Sequence, residues 1–313
     1  MILINLAIFI IALFVVIKSS EYCIRYSSRI AKTFHLSEFI VSFLIIAIIS
    51  TFPEASIAIL SALQGDPSFG MGALLGSNVA DLTLVFGIVV LFSYKGIRIK
   101  SEIVKRDFSY LLLLLFPILL GLDGRFTRMD GLILILGGFF FFLTLSLESK
   151  MFHRKFESLR DPSLVKNSSL MLLAIAALLV SAHFTMKYGT LFAYDLNVPP
   201  LLIGLTMVSV GTCLPELLYS LRAVSTKHDE LALGDLLGTV IMDATIVLGI
   251  VVLISPFTFN PALIYVTGFA MFFAGLMVVS FIRYGKIITK KEGILLLFCY
   301  LAFVILEFIV NRA

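Results

Sequence analysis

The sequence predicts an all-α, polytopic membrane protein whose ten transmembrane helices form two inverted five-helix repeats. Three observations predict it: apolar runs that recur from end to end, lysines and arginines gathered on one side of the membrane, and a gapless internal duplication. Runs of roughly 17–25 apolar residues suffice to cross about 30 Å of hydrocarbon as helices. They fall at about 2–22, 37–63, 70–93, 108–121, 129–147, 168–188, 199–223, 231–254, 261–282 and 291–310, the fourth being the shortest.

Hydrophobic residues make up 60% of the chain and charged residues 14%, which leaves no soluble domain longer than a loop. The first run lacks a basic leader and a small-residue cleavage site and reads as a retained span. Cys23, Cys213 and Cys299 lie in or beside separate spans without metal-type spacing, and read as small apolar fillers.

The net charge of +4 bears on topology, not on nucleic acid, for which no partner role is expected. Loops after spans one, three, five, seven and nine hold 20 of the 24 lysines and arginines; the other side has Arg125, Arg128, Lys187 and Arg312. By the positive-inside rule both termini are extracytoplasmic, in a multi-pass protein of the cell membrane that has the lipid bilayer as partner and no obligatory protein partner.

Shifted by 162 residues, the chain matches itself without a gap. Pro53-Glu54 falls on Pro215-Glu216, LLGS (74–77) on LLGT (236–239), Asp81 on Asp243, GIVVL (87–91) on GIVVL (249–253) and Tyr26 on Tyr188. The expected division is a first repeat over 1–147, a charged cytoplasmic linker over 148–167 and a second repeat over 168–313. Five spans are odd in number, so the second repeat enters from the opposite face. Inverted repeats are a common build of secondary transporters, with the binding site at the midplane between them.

Pro53 and Pro215 interrupt spans two and seven. Proline has no N–H and frees the carbonyl four residues back, that of Ile49 or Gly211. Glu54, Asp81, Glu216 and Asp243 lie inside spans, where ionisable groups cost several kcal/mol and mark function. Each has a hydroxyl one turn earlier: Ser50, Ser77, Thr212 and Thr239. Carboxylates, hydroxyls and loosened carbonyls make an all-oxygen cage suited to a hard cation with about six to eight oxygen ligands, favouring calcium. The four histidines form no cluster that points to zinc or copper. Gly72, Gly76, Gly234 and Gly238 repeat at the spacing that lets membrane helices approach closely. Asp235, whose twin is Ala73, reads equally as a first-turn acid complementing the dipole of helix eight or as a group in ion entry.

At these stretches the chain resembles the cation/calcium exchanger superfamily, nearest its sodium/calcium exchanger branch of prokaryotic type. SVGTCLPELLYSL (209–221) with ALGDLLGTVIMDATIVLGI (232–250) resembles the second of the family's signature repeats. AIISTFPEASIAIL (47–60) with GALLGSNVADLTLVFG (72–87) resembles the first. The resemblance implies antiport of Ca2+ against Na+ without a cofactor, with the ions held between spans two, three, seven and eight. It gives Glu54 and Glu216 the central calcium, makes Ser50, Thr51, Thr212, Ser77 and Thr239 hydroxyl ligands, and assigns the carbonyls of Ala47 and Ser209 to flanking sodium. Spans one and six match the gating pair. Three departures bear on the sodium sites: Ile49 stands where glycine is usual, Cys213 replaces a ligating serine, and Asp81 and Asp243 are both acidic.

An H+/Ca2+ exchanger, or one for another divalent cation, fits the same scaffold. A passive calcium channel lacks the reason for inverted repeats. An intramembrane aspartyl protease would use YD (194–195), LGD (233–235) and PAL (261–263), but it leaves the duplicated glutamates unexplained. It also puts Asp195 in a loop. Four acids around one Ca2+ leave charge uncompensated, so a proton is expected to be shared among Asp81 and Asp243. Calcium binding by Asp81→Asn is therefore expected to titrate differently from the parent; identical pH profiles would remove the shared proton.

Overall fold

In hydrocarbon the backbone has no partner but itself, so uninterrupted apolar runs fold as helices. The computed structural model describes residues 2–31, 47–94, 96–98, 109–149, 164–198, 200–284 and 287–311. Its helices are α1 (Ile2–Ala31), α2 (Ala47–Ser50), α3 (Phe52–Leu63), α4 (Pro67–Ala80), α5 (Phe86–Phe92), α6 (Ser109–Leu120) and α7 (Arg128–Ser149). Then come α8 (Leu164–Asp195), α9 (Pro200–Ile203), α10 (Ser209–Thr212), α11 (Leu214–Ser225), α12 (Asp229–Met242), α13 (Leu248–Ile254), α14 (Pro261–Leu263), α15 (Phe269–Tyr284) and α16 (Lys290–Asn311). Four π-helical segments, 81–85, 204–208, 243–247 and 264–268, join consecutive helices without ending them.

Among the described residues six helical stretches are long and apolar enough to cross a membrane, and the bent pair 204–212 with 214–225 makes a seventh. Phe52–Leu63 and Tyr110–Leu120 are apolar but shorter. The ten-run reading includes residues 37–46, which lie outside the described part, and its boundaries shift where charge is tolerated. Helix α1 runs past residue 22 to Ala31, and α8 spans Leu164–Asp195, reaching into the expected linker. Both extensions carry polar residues, as helix ends that leave the hydrocarbon can.

Elements recur at the sequence offset. Helices 52–63, 67–80, 86–92 and 128–149 reappear as 214–225, 229–242, 248–254 and 290–311, and the π segment 81–85 as 243–247. The cross-contacts recur too. A Cβ on Gly131 would stand 2.8 Å from the Gly249 carbonyl oxygen, and one on Gly87 would stand 2.9 Å from that of Gly293. The offset turns one glycine crossing into the other, so α7 lies on α13 while α16 lies on α5. Two antiparallel ladders, β1 (Ile97–Arg98) with β4 (Ile287–Ile288) and β2 (Arg125–Phe126) with β3 (Phe257–Thr258), likewise join the halves.

The stretches 67–92 and 229–254 form the centre and are mostly buried, whereas the 2–19 and 290–310 stretches are mostly not. Those outer helices present Leu3, Phe298 and Ile309 outward, as lipid-facing surfaces do. Helices α1 and α8 pack along each other at the periphery.

Gly131→Val must push α7 off α13, since backbone stands where the side chain would go. It is expected to cost about 1–3 kcal/mol of stability, read by thermal unfolding in detergent, whereas lipid-facing Leu173→Ala has little effect. Equal effects would mean the crossing is not close.

Candidate ion-binding site

Two broken helices frame the site. The chain steps from α2 to α3 at Thr51 (φ −67°, ψ −8°) and from α10 to α11 at Cys213 (φ −74°, ψ −5°). Pro53 and Pro215 sit at the starts of the second pieces, so neither can donate to Ile49 or Gly211. The second break bends by 41°. The two junction residues have nearly the same backbone angles, so Ile49 in place of glycine leaves the first junction's conformation unchanged. Gly211 serves packing instead: a Cβ there would meet the Leu13 side chain of α1 at 2.6 Å.

Glu54 and Glu216 start the helices beyond the breaks, while Asp81 and Asp243 open the π segments of the two central stretches. A π turn widens the helix and is frequent at functional sites. Each of these segments also holds a threonine, Thr83 or Thr245, that donates to the carbonyl four residues back, Val79 or Ile241. Glu54, Glu216 and Asp243 are fully buried and Asp81 is 1% exposed. Glu54 acts electrostatically on Asp81, Glu216, Asp235 and Asp243, so the acids of both halves share one region. None of the eight carboxylate oxygens of Glu54, Asp81, Glu216 and Asp243 receives a full hydrogen bond. An unpaired buried carboxylate is among the costliest arrangements in a protein interior; here several face one another.

Three of the hydroxyls donate to carbonyls of their own helices. Thr51 donates to Ile48 O at 2.9 Å, Ser77 to Leu74 O at 2.9 Å and Thr212 to Ser209 O at 3.1 Å. With each proton committed to its own helix, the oxygen keeps lone pairs that can serve a cation. Thr212 and Ser77 face Glu54 and Asp243 respectively. Ser50 and Thr239 lie 2.9 Å apart, joining the first broken helix to α12. The carbonyls of Ala47 and Ser209 already accept hydrogen bonds. Ala47 O accepts from Thr51 N at 3.0 Å and lies 3.2 Å from Ser50 Oγ, and Ser209 O accepts from Cys213 N and Thr212 Oγ1, each at 3.1 Å. To bind a cation Ser209 O must shed one of these bonds, whereas Ala47 O keeps a free lone pair when Ser50 donates to Asp235. The Cys213 thiol donates to Ser77 O at 3.6 Å.

Among the described residues no three acidic, histidine or cysteine side chains converge as a ready-made metal cluster. The arrangement is wider than a four-carboxylate clasp, and a coordination shell would need hydroxyl and carbonyl oxygens beside the acids. Glycines set how closely the pieces approach. A Cβ on Gly76 would stand 2.4 Å from Ser209 Oγ and 2.6 Å from Leu205 O, and Gly72 lies against Gly204. Gly234 and Gly238 are buried along α12.

Asp235 is not a first-turn acid. Helix α12 begins at Asp229, and its first-turn acids are Asp229 and Glu230. Asp235 is fully buried and accepts a hydrogen bond from Ser50 Oγ at 2.9 Å. It is a fifth acid beside the four duplicated ones, and its lack of a twin left its role open in the sequence. Glu307 is also fully buried and accepts a hydrogen bond from Thr267. It too is unduplicated, and only its charge within span ten signals it. Asp195 ends α8 instead of lying in a loop; it is exposed and accepts from Asn5 Nδ2 at 2.7 Å. An exposed, partnered acid and a buried one do not make a catalytic dyad.

Known proteins match both the fold and the sequence. The sodium/calcium exchanger protein family model matches residues 4–147 and 167–309. CaxA of Alkalimonas amylolytica is 31% identical over 312 residues, covering 96% of this chain and 97% of the relative. The sodium/calcium exchanger MaX1 of Methanosarcina acetivorans is 26% identical, covering 98% and 99%. Structures of the sodium-calcium exchanger NCX_Mj soaked with Na+ and Sr2+ superpose with a TM-score of 0.72 at 25% identity, covering 100% of both chains. The broken helices, buried acids and end-to-end match lead to one assignment: this chain belongs to the sodium/calcium exchanger family.

Proposed function

We propose that the protein, a multi-pass membrane cation/calcium exchanger by family, exchanges Ca2+ for Na+ by alternating access. In this reading Glu54 and Glu216 bind the central calcium directly. The observation that carries it is the set of buried, donor-free carboxylates contributed by both halves. Ser50, Thr51, Ser77, Thr212 and Thr239 add hydroxyl oxygens, Asp81 and Asp243 add charge, and the carbonyls of Ala47 and, once released, Ser209 serve flanking sodium. The protein sits in the cell membrane with both termini outside, and its two repeats, over 1–147 and 168–313, move about the shared site.

Charge explains why such a site exchanges and does not leak. Closing several bare carboxylates away from water is costly. One Ca2+ or several monovalent cations reduce that cost, so a loaded site crosses the occluded state and an empty one does not. The two loads compete for the same oxygens and travel in opposite directions. Helices α1 and α8, packed together at the periphery, are the pair proposed to slide.

Proton coupling is the second reading. Cys213 removes an oxygen, and the acids Asp81, Asp235 and Asp243 add groups that hold protons. Uptake of 45Ca2+ into proteoliposomes separates the readings: an imposed Na+ gradient is expected to drive it and a pH gradient is not. The reverse result establishes proton coupling, and uptake without counterflow of a second cation indicates a channel. Removing one direct carboxylate ligand is worth about 3 kcal/mol, so Glu54→Gln and Glu216→Gln are expected to weaken calcium binding about a hundredfold. Asp235→Asn keeps the hydrogen bond to Ser50 and is expected to weaken it about tenfold or less. A Glu54→Gln protein with unchanged calcium affinity would remove the central assignment.

A further inference from the structure

Helices α1 and α11 enclose a cavity of about 290 Å³ lined by Glu21, Tyr22 and Arg25 on one side and Pro215, Tyr219 and Arg222 on the other. Glu21 is engaged by Lys18 at 2.9 Å, and neither guanidinium forms an ion pair with a described residue. The local balance of Lys18, Glu21, Arg25 and Arg222 is two positive charges. Such a lining repels a transported cation and suits a phosphate, which arginine holds through paired N–H donors.

The same flank of α1 carries an apolar groove toward mid-membrane. It is about 620 Å³, lined by Ile11, Ala12 and Val15 of α1 and Leu173, Ala177 and Phe184 of α8. Tyr22 follows Val15, and Arg25 follows Ile11, at multiples of seven residues, so groove and basic end share one helical stripe. An apolar slot leading to two arginines matches an acyl chain ending in an anionic head. A free phosphate has no use for the slot, and a zwitterionic lipid gains less from the arginines. By the charge asymmetry of the loops this end faces the cytoplasm, where basic pockets between helices hold anionic head groups.

We propose that one anionic phospholipid binds here, its phosphate between Arg25 and Arg222 and an acyl chain along the α1–α8 groove. It bridges α1 to the second broken helix. The site is read from the cavity, the charge and the groove, and stands independently of the transported ion.

The test is titration of the delipidated full-length protein in detergent by native mass spectrometry. Phosphatidylglycerol is expected to bind about thirtyfold more tightly than phosphatidylcholine of the same chains. Arg25→Gln with Arg222→Gln reduces that preference to about threefold or less, each single change gives an intermediate value, and Lys290→Gln with Lys291→Gln leaves it intact. Equal binding of the two lipids overturns the proposal, as does a preference that survives loss of both arginines. Full displacement of phosphatidylglycerol by millimolar inorganic phosphate also overturns it, showing a phosphate site without a lipid. Should the double variant not fold, the two single variants decide. Calcium exchange is measured separately, so lipid binding without exchange counts against the transport reading alone.

Discussion

The structure is organised around the cost of placing carboxylates where water cannot reach them. Glu54, Glu216, Asp243 and Asp235 are fully buried, and most of their oxygens have no hydrogen-bond donor. A protein selected only for stability would replace them with apolar side chains. Their retention at the centre of the most buried stretches ties the rest together. The prolines break the helices there, Thr51, Ser77 and Thr212 donate to carbonyls of their own helices, and the glycines let the backbone segments approach closely.

The duplication gives this arrangement its economy of parts. One half supplies a broken helix, an acid, a hydroxyl and a widened central helix, and the other half supplies the same set inverted. The halves hold each other through crossings that the offset itself interchanges: Gly131 with Gly249, and Gly87 with Gly293. The two β ladders add a pinned connection between loops of opposite halves. The central helices are thereby anchored while α1 and α8 pack mainly on each other at the edge.

Much of this was legible in the sequence because membrane burial restricts what each residue type can mean. Apolar length identified helices, and the prolines beside Glu54 and Glu216 identified the breaks. The signals that failed were those lacking a twin or depending on distant partners. Asp235 faces Ser50 across 185 residues, and its duplicate position is Ala73, so helix position alone left a dipole role and a role in ion entry equally open. Glu307 meets Thr267 with no counterpart in the first half. Two of the π segments begin with Asp81-Leu82-Thr83 and Asp243-Ala244-Thr245, where the threonine donates to a carbonyl of the preceding turn. That pattern is visible only once the backbone is. The two-residue ladders are too short for any strand signal. The carbonyls of Ala47 and Ser209 proved to be already bonded within their own helices.

The central claim is that acids from both halves hold one dehydrated divalent ion. Anomalous diffraction from crystals soaked in Sr2+ locates such an ion directly. The account predicts one dominant peak lying between the carboxylates of Glu54 and Glu216, with about six to eight oxygens around it. A dominant peak elsewhere, or one touched by acids of a single half, would contradict it.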